Sequence, residues 1–407
     1  MSAPRLLTLN AGSSTLKFAV YEAGPEPVLK LSGQVSDLGA EPRFRAHADG
    51  EVVAQQSWAG TLGLEAVLDR TFNWLLEMGW DDGLRAIGHR IVHGGLEHRE
   101  PVHLNPQVTR RLEALSPMAP LHQPFNLRGV AMAAERFADT IQVGVFDTAF
   151  HAGQPQVARL YALPRELIAE GVLAYGFHGL SYAYIAGVLR DQAGPDAGGR
   201  AIVLHLGSGA SLCAMANGQS VATTMGFSPL DGPPMSTRCG ALDPGVVLHL
   251  LGAKGLSVEQ VTDLLYHRSG LLGLSGVSGD MVTLLESRLP QAREALDVYV
   301  YRLAREIGSL TAALGGLDTV VFTAGVGENA APIRSRIMAL CAWLGIRLDE
   351  DANTRGAGRI SHPDSAVNVL VIPTDEQIVI ARGVTHFLSA LRDAPPEPAG
   401  EPPSPAR

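Results

Sequence analysis

Two arginines, two histidines and an aspartate stand where apolar runs give way to glycine or proline, the places where a chain can present side chains to a ligand. Arg90 lies in Gly88-His89-Arg90-Ile91-Val92-His93-Gly94-Gly95, a strand end before a glycine turn. His122 lies in Pro120-Leu121-His122-Gln123-Pro124, and Asp147 in Phe146-Asp147-Thr148-Ala149-Phe150-His151, where a buried strand ends on a carboxylate. His178 follows Tyr175-Gly176-Phe177, a strand-like approach to a histidine. Arg238 sits in Ser236-Thr237-Arg238-Cys239-Gly240, shortly after Phe227-Ser228-Pro229-Leu230-Asp231-Gly232. Guanidinium groups offer planar paired donors to carboxylate and phosphate oxygens. Taken singly, each residue has a plainer explanation: a loop arginine pairs with a surface carboxylate, a histidine is satisfied in place, and Asp147 caps a helix.

Two further segments repeat one plan of strand, tight turn and strand. The first is Leu6-Leu7-Thr8-Leu9-Asn10-Ala11-Gly12-Ser13-Ser14-Thr15-Leu16-Lys17-Phe18. The second is Ile202-Val203-Leu204-His205-Leu206-Gly207-Ser208-Gly209-Ala210-Ser211-Leu212. Glycine lets backbone approach an anion, and consecutive N–H groups with hydroxyls wrap phosphate oxygens. Two such turns half a chain apart predict two related lobes holding a phosphate chain between them.

The elements that must carry these residues follow from periodicity. Residues 5–55 read as β-rich, and Leu64, Val67, Leu68, Phe72, Leu75 and Leu76 recur at helical spacing. A strand and glycine turn over 86–95, a helix over 107–115 and a strand over 141–146 complete a first α/β lobe. The plan restarts at Ala201: strands, helices near 246–251 and 258–266, then a long helix whose apolar stripe (Leu296, Val300, Leu303, Ile307, Leu310, Leu314) reads as core or subunit contact. A strand over 319–323 enters Ala324-Gly325-Val326-Gly327-Glu328-Asn329, which opens another helix. A strand over 367–372 reaches Pro373-Thr374-Asp375-Glu376, and a last helix runs to about Leu391. The Pro-rich tail over 393–407 is expected to be disordered.

Bulk composition narrows the class. The chain has 407 residues, enough for two cores, and a net charge of −9 with no Lys/Arg run, which argues against nucleic acid or anionic membrane as partner. Its three cysteines lack C-x-x-C spacing, so neither zinc nor a disulfide framework is indicated. Strand residues begin almost at the N-terminus and no apolar run of about 18 residues occurs, so the expected location is the cytoplasm.

Together these segments resemble the acetokinase family of acetate, propionate and butyrate kinases. The resemblance runs from Leu6 to about Leu388, through LNAGSSTLKF, GHRIVHGG, APLHQP, FDTAFH, YGFHGLS, HLGSGAS, MGFSPLDG, STRCGALDPG, FTAGVGEN and IPTDE. It implies a two-lobed α/β fold of the actin, Hsp70 and sugar-kinase type, a duplicated ribonuclease H-like design. Residues 1–150 with 377–392 would form one lobe and 151–376 the other, in a homodimer.

The implied reaction is Mg²⁺-dependent (Mn²⁺ able to substitute), reversible phosphoryl transfer between ATP and acetate, giving acetyl phosphate and ADP. Acetate is ionised at pH 7, so no base or Ser/Cys nucleophile is needed; the obstacle is repulsion between anions. By resemblance Arg90 and Arg238 clamp the carboxylate and the phosphoryl group. His178 bonds the phosphoryl oxygens with His122 assisting. Asn10, Asp147 and Glu376 serve the metal and phosphates, with Asn10 and Glu376 as its ligands. Ser13, Thr15 and Lys17 match the first phosphate loop and His205, Gly207, Ser208 and Gly209 the second. Asp280, Gly325, Val326, Gly327, Glu328 and Asn329 match the adenosine side. Val92, Leu121, Phe177 and Pro229 fall where the family seats the substrate methyl, valine favouring acetate over propionate.

The chain departs from the family pattern in places. Gln123, Ser208 and Asp375 stand where asparagine is common, and Leu180-Ser181-Tyr182 where Thr-Ser-His is common. Met281 and Val282 stand where an aromatic and an arginine usually follow the aspartate. The alternatives are a propionate or other short-chain carboxylate kinase, and a non-catalytic nucleotide-binding protein of the actin/Hsp70 type. The latter has no use for Arg90, Arg238, His122 and His178 in one cleft.

Overall fold

The computed structural model describes residues 3–12, 15–194, 199–356 and 358–393. Ser13 and the tail over 394–407 lie outside the described residues. Fourteen strands are described: β1 (Arg5–Ala11), β2 (Leu16–Glu22), β3 (Val28–Ser36), β4 (Arg43–Ala48), β5 (Glu51–Ser57), β6 (Leu84–Ile91), β7 (Val102–His103), β8 (Ile141–Phe146), β9 (Arg200–Leu206), β10 (Ala210–Ala216), β11 (Gln219–Thr223), β12 (Thr319–Thr323), β13 (Gly358–Arg359) and β14 (Asn368–Val371). They form two sheets, ordered β5-β4-β3-β2-β1-β6-β8-β7 and β11-β10-β9-β12-β14-β13.

The two orders contain one design. In the first sheet β1 runs antiparallel to β2 and parallel to β6, which is parallel to β8. In the second β9 runs antiparallel to β10 and parallel to β12, which is parallel to β14. The two glycine turns thus sit in matching places, between β1 and β2 and between β9 and β10. Parallel strands buried on both faces read as continuous apolar runs, which is why 141–146 and 319–323 were legible.

Helices cover both sheets. The helix Leu64–Glu77 buries Leu64, Val67, Leu68, Phe72 and Leu75 against Phe18, Val35 and Phe44. Each such side chain contributes roughly 1.5–3 kcal/mol. On the opposite face lies Glu376–Asp393, through Ala381 and Val384 packed on Leu6, Ala86 and Val143; it extends two residues beyond the expected end. The long helix Pro290–Leu314 is buried along Leu296, Val300, Leu303, Ile307 and Leu310, so its stripe is core.

Two expectations need correction. The approach to His178 is not a strand: Gly176 has φ +79°, His178 has φ +58°, and a helix, Gly179–Ala193, begins at the next residue. Residues Ala324–Asn329 are themselves a short helix, entered through Ala324 at φ +65°, and a second helix, Ala331–Leu340, follows. The helices Gln123–Arg136 and Gly179–Ala193 have no counterpart in the periodicity reading. The cysteines are free thiols, and burial pushes Cys213 up to about 12 and Cys341 to about 11.

Candidate active site

The charged residues enter from the carboxyl ends of parallel strands, where α/β folds bind ligands. Asn10 is the next-to-last residue of β1, Arg90 of β6, and Asp147 follows β8. Arg90 donates to Asp147 Oδ2 through Nε (2.9 Å) and Nη2 (2.6 Å), and to Asn10 Oδ1 through Nη1 (3.1 Å). Asn10 Nδ2 donates to Glu376 Oε2 at 2.7 Å, so its amide bridges cation and carboxylate. Asp147 also accepts from the Leu180 N–H at 3.4 Å, meeting the first turn of helix Gly179–Ala193. A Cβ at Gly179 would lie 1.9 Å from the Asp147 carbonyl oxygen, so only glycine permits this approach. The aspartate therefore both meets the helix and pairs with Arg90.

Burial opposes these charges and pairing answers it. Burial lowers Arg90, but the carboxylates of Asp147 and Glu376 outweigh it and hold the guanidinium above its ordinary range. Burial pushes the Asp147 carboxyl up while Arg90 pulls it back. Burial would also raise Glu376, yet Arg90, His205, Lys17 and the Asn10 amide together hold it below its ordinary value.

Arg238 is placed differently. Its Nη1 donates to the Pro229 carbonyl at 2.8 Å and its Nη2 to His122 Nε2 at 3.4 Å; among the described residues no carboxylate pairs with it. Burial brings this guanidinium down to about 10, with the Arg90 charge adding to the effect. Because a guanidinium only donates, His122 Nε2 accepts and the ring proton sits on Nδ1, buried and without a partner among the described residues. Burial, then Arg238 and Arg90, hold His122 at about 3.

His178 and His205 stack, ring centroids 4.2 Å apart and planes 18° from parallel. Burial, then the adjoining His205 ring and the Arg90 and Arg238 guanidinium groups, hold His178 well below its ordinary value, and burial brings His205 to about 4. Both rings are neutral at pH 7. Their Nε2 atoms face the second glycine turn. A Cβ at Gly209 would stand 3.3 Å from both His178 Nε2 and Arg238 Nη2, and one at Gly207 3.8 Å from His205 Nε2. Gly209 thus marks the point where guanidinium, imidazole and backbone converge.

The same turn borders a cavity of about 410 Å³ that brings together Ser208, Asp280, Gly325, Val326 and Asn329. Its apolar wall is Leu271, Met281, Val282, Leu285 and Tyr299, the last from the helix read as core. Asp280 Oδ1 accepts from the Thr283 N–H and hydroxyl, capping Met281–Glu286. Glu328 does not face the cavity: its Oε1 accepts from the Ala324 and Thr374 N–H groups and ties the short helix down, while Gly327 packs beneath. Thr15 closes the first turn through its carbonyl, and Lys17 is exposed at the edge of β2.

Val92 and Phe177 share one apolar cluster with Ala119 and Met235. Leu121 adjoins His122 in sequence, and Pro229 reaches Arg238 through its carbonyl. Polar side chains outside the sequence-derived set hold this frame. Asn126 joins the Val92 N–H to the Ala11 carbonyl, and Gln123 clamps the backbone of His93. Ser211 and Ser181 contact His178 Nδ1 and His205 Nδ1, each at 2.8 Å. Tyr182 and Gln123 stood out only as departures from a family pattern; Asn126 gave no signal.

Paired sheets of one order with a cleft at their strand ends define the actin, Hsp70 and sugar-kinase class of fold. The family model of the acetokinase family matches residues 5–382. An acetate kinase of Rhodopseudomonas palustris (strain TIE-1) is 51% identical over 394 residues, covering 95% of this chain and 99% of that protein. The crystal structure of a propionate kinase from Francisella tularensis superposes with a TM-score of 0.85 at 32% identity, covering 93% of this chain and 98% of that one. That of Porphyromonas gingivalis acetate kinase gives 0.79 at 34%, covering 95% and 100%. The chain belongs to the acetokinase family.

Proposed function

We propose that the protein is an acetate kinase, moving a phosphoryl group reversibly between ATP and acetate to give ADP and acetyl phosphate. The observation that carries this reading is Arg238: a half-buried cation without a carboxylate partner among the described residues, beside two neutral imidazoles. Such a place stabilises an anion that arrives with the substrates.

An acetate oxygen attacks the γ-phosphorus in line as the bond to the β,γ-bridging oxygen breaks, and ADP leaves with the electron pair. No proton moves. Arg238 holds the carboxylate and the transferring group, His178 donates to phosphoryl oxygens, His122 assists by holding the Arg238 guanidinium through Nε2, and Arg90, fixed by Asp147 and Asn10, adds positive charge. Donors held in place ahead of the charge they meet account for much of such a rate. Val92, Leu121, Phe177 and Pro229 enclose the methyl group. Thr15, Lys17, His205, Gly207, Ser208 and Gly209 take the phosphates, and Asp280, Gly325, Val326 and Asn329 the nucleoside, with Gly327 and Glu328 shaping that wall.

Family membership implies a divalent metal, which we read as Mg²⁺, with Mn²⁺ able to replace it. Among the described residues no three His, Cys, Asp or Glu side chains gather as a metal cage. The donors are instead the hard oxygens of Glu376, Asn10 and Asp147. Beside them in sequence or sheet, the Thr374 and Thr323 hydroxyls are buried without partners among the described residues. That set fits an ion which completes its shell with water and phosphate. Glu376 and Asn10 would hold it, and when bound it supplies charge neutralisation to the phosphates.

We further read residues 1–150 with 377–392 as one lobe and 151–376 as the other. The working form is a homodimer, and the location is the cytoplasm; no described helix is long and apolar enough to cross a membrane. Sedimentation at micromolar concentration checks the dimer. The test of function is acetyl hydroxamate formation from acetate, ATP, Mg²⁺ and hydroxylamine, with none above the no-enzyme blank rejecting it. Likeness to a propionate kinase favours a second reading, a preference for propionate, which kcat/KM for the two acids separates.

A further inference from the structure

We infer that Tyr182 and Ser211 form a buried hydroxyl relay that fixes the tautomer of His178, so that its neutral ring presents Nε2–H to the Gly209 turn. The inference rests on the proposed phosphoryl transfer for its use, but not for its geometry.

The three groups form one chain. The Tyr182 hydroxyl meets Ser211 Oγ at 2.5 Å, and Ser211 Oγ meets His178 Nδ1 at 2.8 Å. Tyr182 and Ser211 have no exposed surface, so water does not complete their bonding. Protons can run along this chain in two directions. In one, His178 Nδ1–H donates to Ser211, Ser211 donates to the phenol oxygen, and the phenol O–H points away. No described acceptor takes that O–H, and a buried donor without an acceptor costs about 1–3 kcal/mol. In the other, Tyr182 donates to Ser211 and Ser211 donates to Nδ1, so every donor on the path has an acceptor.

The satisfied direction leaves Nδ1 as acceptor and puts the ring proton on Nε2. That nitrogen is the one beside Arg238 at Gly209, where an anion is met. A lone pair there would repel phosphoryl oxygens; an N–H binds them. The neighbouring ring cooperates, since the His178 imidazole is stacked on His205 at 4.2 Å between centroids, which holds its plane. Ser181 on His205 Nδ1 repeats the arrangement one ring over. Tyr182 and Ser211 touch no substrate in this scheme and are positioning residues. Tyr182 stands where histidine is common in the family, so the phenol end of the relay belongs to this chain.

The test reads tautomer and rate separately. In full-length protein labelled with ¹⁵N-histidine, and with His178→Gln to assign its signals, long-range ¹H–¹⁵N correlation should show His178 Nδ1 unprotonated and Nε2 protonated at pH 7. Ser211→Ala should move the ring toward the Nδ1–H form and lower kcat on the order of 10–100-fold, as when a histidine's orienting partner is lost. KM for acetate and ATP should stay within about threefold. Tyr182→Phe should act in the same direction by about 3–10-fold, the worth of one hydrogen bond. A wild-type His178 protonated at Nδ1 overturns the inference without any variant. So does a variant whose rate falls while the tautomer holds, or whose tautomer shifts with kcat within twofold of wild type. Inactivity of the wild-type protein with the stated tautomer would instead count against the kinase reading alone.

Discussion

Arg238→Ala should separate catalysis from stability in a way no paired arginine does. Loss of a donor aimed at transition-state charge lowers kcat by about 10²–10³, or about 2.7–4 kcal/mol. Stability should move little, or upward. Each pKa unit is worth about 1.4 kcal/mol, so a guanidinium brought down to about 10 by burial burdens the resting fold by on the order of 3 kcal/mol at any pH below that, less whatever water in the cleft screens. Against its removal stand the hydrogen bonds to the Pro229 carbonyl and to His122 Nε2, each worth about 1 kcal/mol, and the space left behind. Arg90→Ala is the control. It strands Asp147, whose side chain is 1% exposed, as an uncompensated buried carboxylate, and breaking such a pair costs about 3–5 kcal/mol. The assay is hydroxamate formation over a range of acetate, with thermal unfolding of the same preparations. Arg238→Ala retaining more than about a tenth of wild-type kcat, or losing as much Tm as Arg90→Ala, would refute the reasoning.

Val92→Ala should raise kcat/KM for propionate relative to acetate by roughly 5–100-fold, the range that one methylene's worth of space allows; an unchanged ratio removes Val92 from the methyl pocket. Glu376→Gln should raise the Mg²⁺ concentration for half-maximal rate by about tenfold or more, as for a lost metal-site partner, and an unaltered titration would place the metal elsewhere. The pH dependence of Tm follows from burial. His89, His93, His151 and His205 are held at about 4 and His122 at about 3, against 6.5 when unfolded. Between about pH 6.5 and 4 the unfolded chain binds more protons. Stability is therefore complete above that window and falls as pH is lowered through it; a flat Tm from 6.5 to 4 would contradict this.

The strand ends were legible because mostly apolar runs break off at a charged or glycine-rich turn, so Arg90, Asp147 and His205 stood out near the breaks. The two lobes were legible because the plan recurs. Helix Gln123–Arg136 was hidden by Pro124, Asn126 and Gly129, which interrupt its apolar spacing. Helix Gly179–Ala193 was hidden because its neighbours cover several sides: Tyr182, Ile185 and Leu189 enter one core and Leu180 packs with Ile380 in another. Asn126, Ser211 and Tyr182 gain meaning only from partners distant in sequence. Asn126 reaches Ala11 across 115 residues, and no spacing rule connects them. That Arg238 would lack a carboxylate while Arg90 held one could not be read from two similar loops.

The shared strand order places Asn10 and His205 at the same station, next to last on the first strand of each repeat. One repeat fills that station with an amide wired into a charged network, the other with an uncharged ring. The polar network is thus shared between the duplicated sheets, Asn10 and Arg90 coming from strands of the first and Glu376 from the segment after β14 of the second.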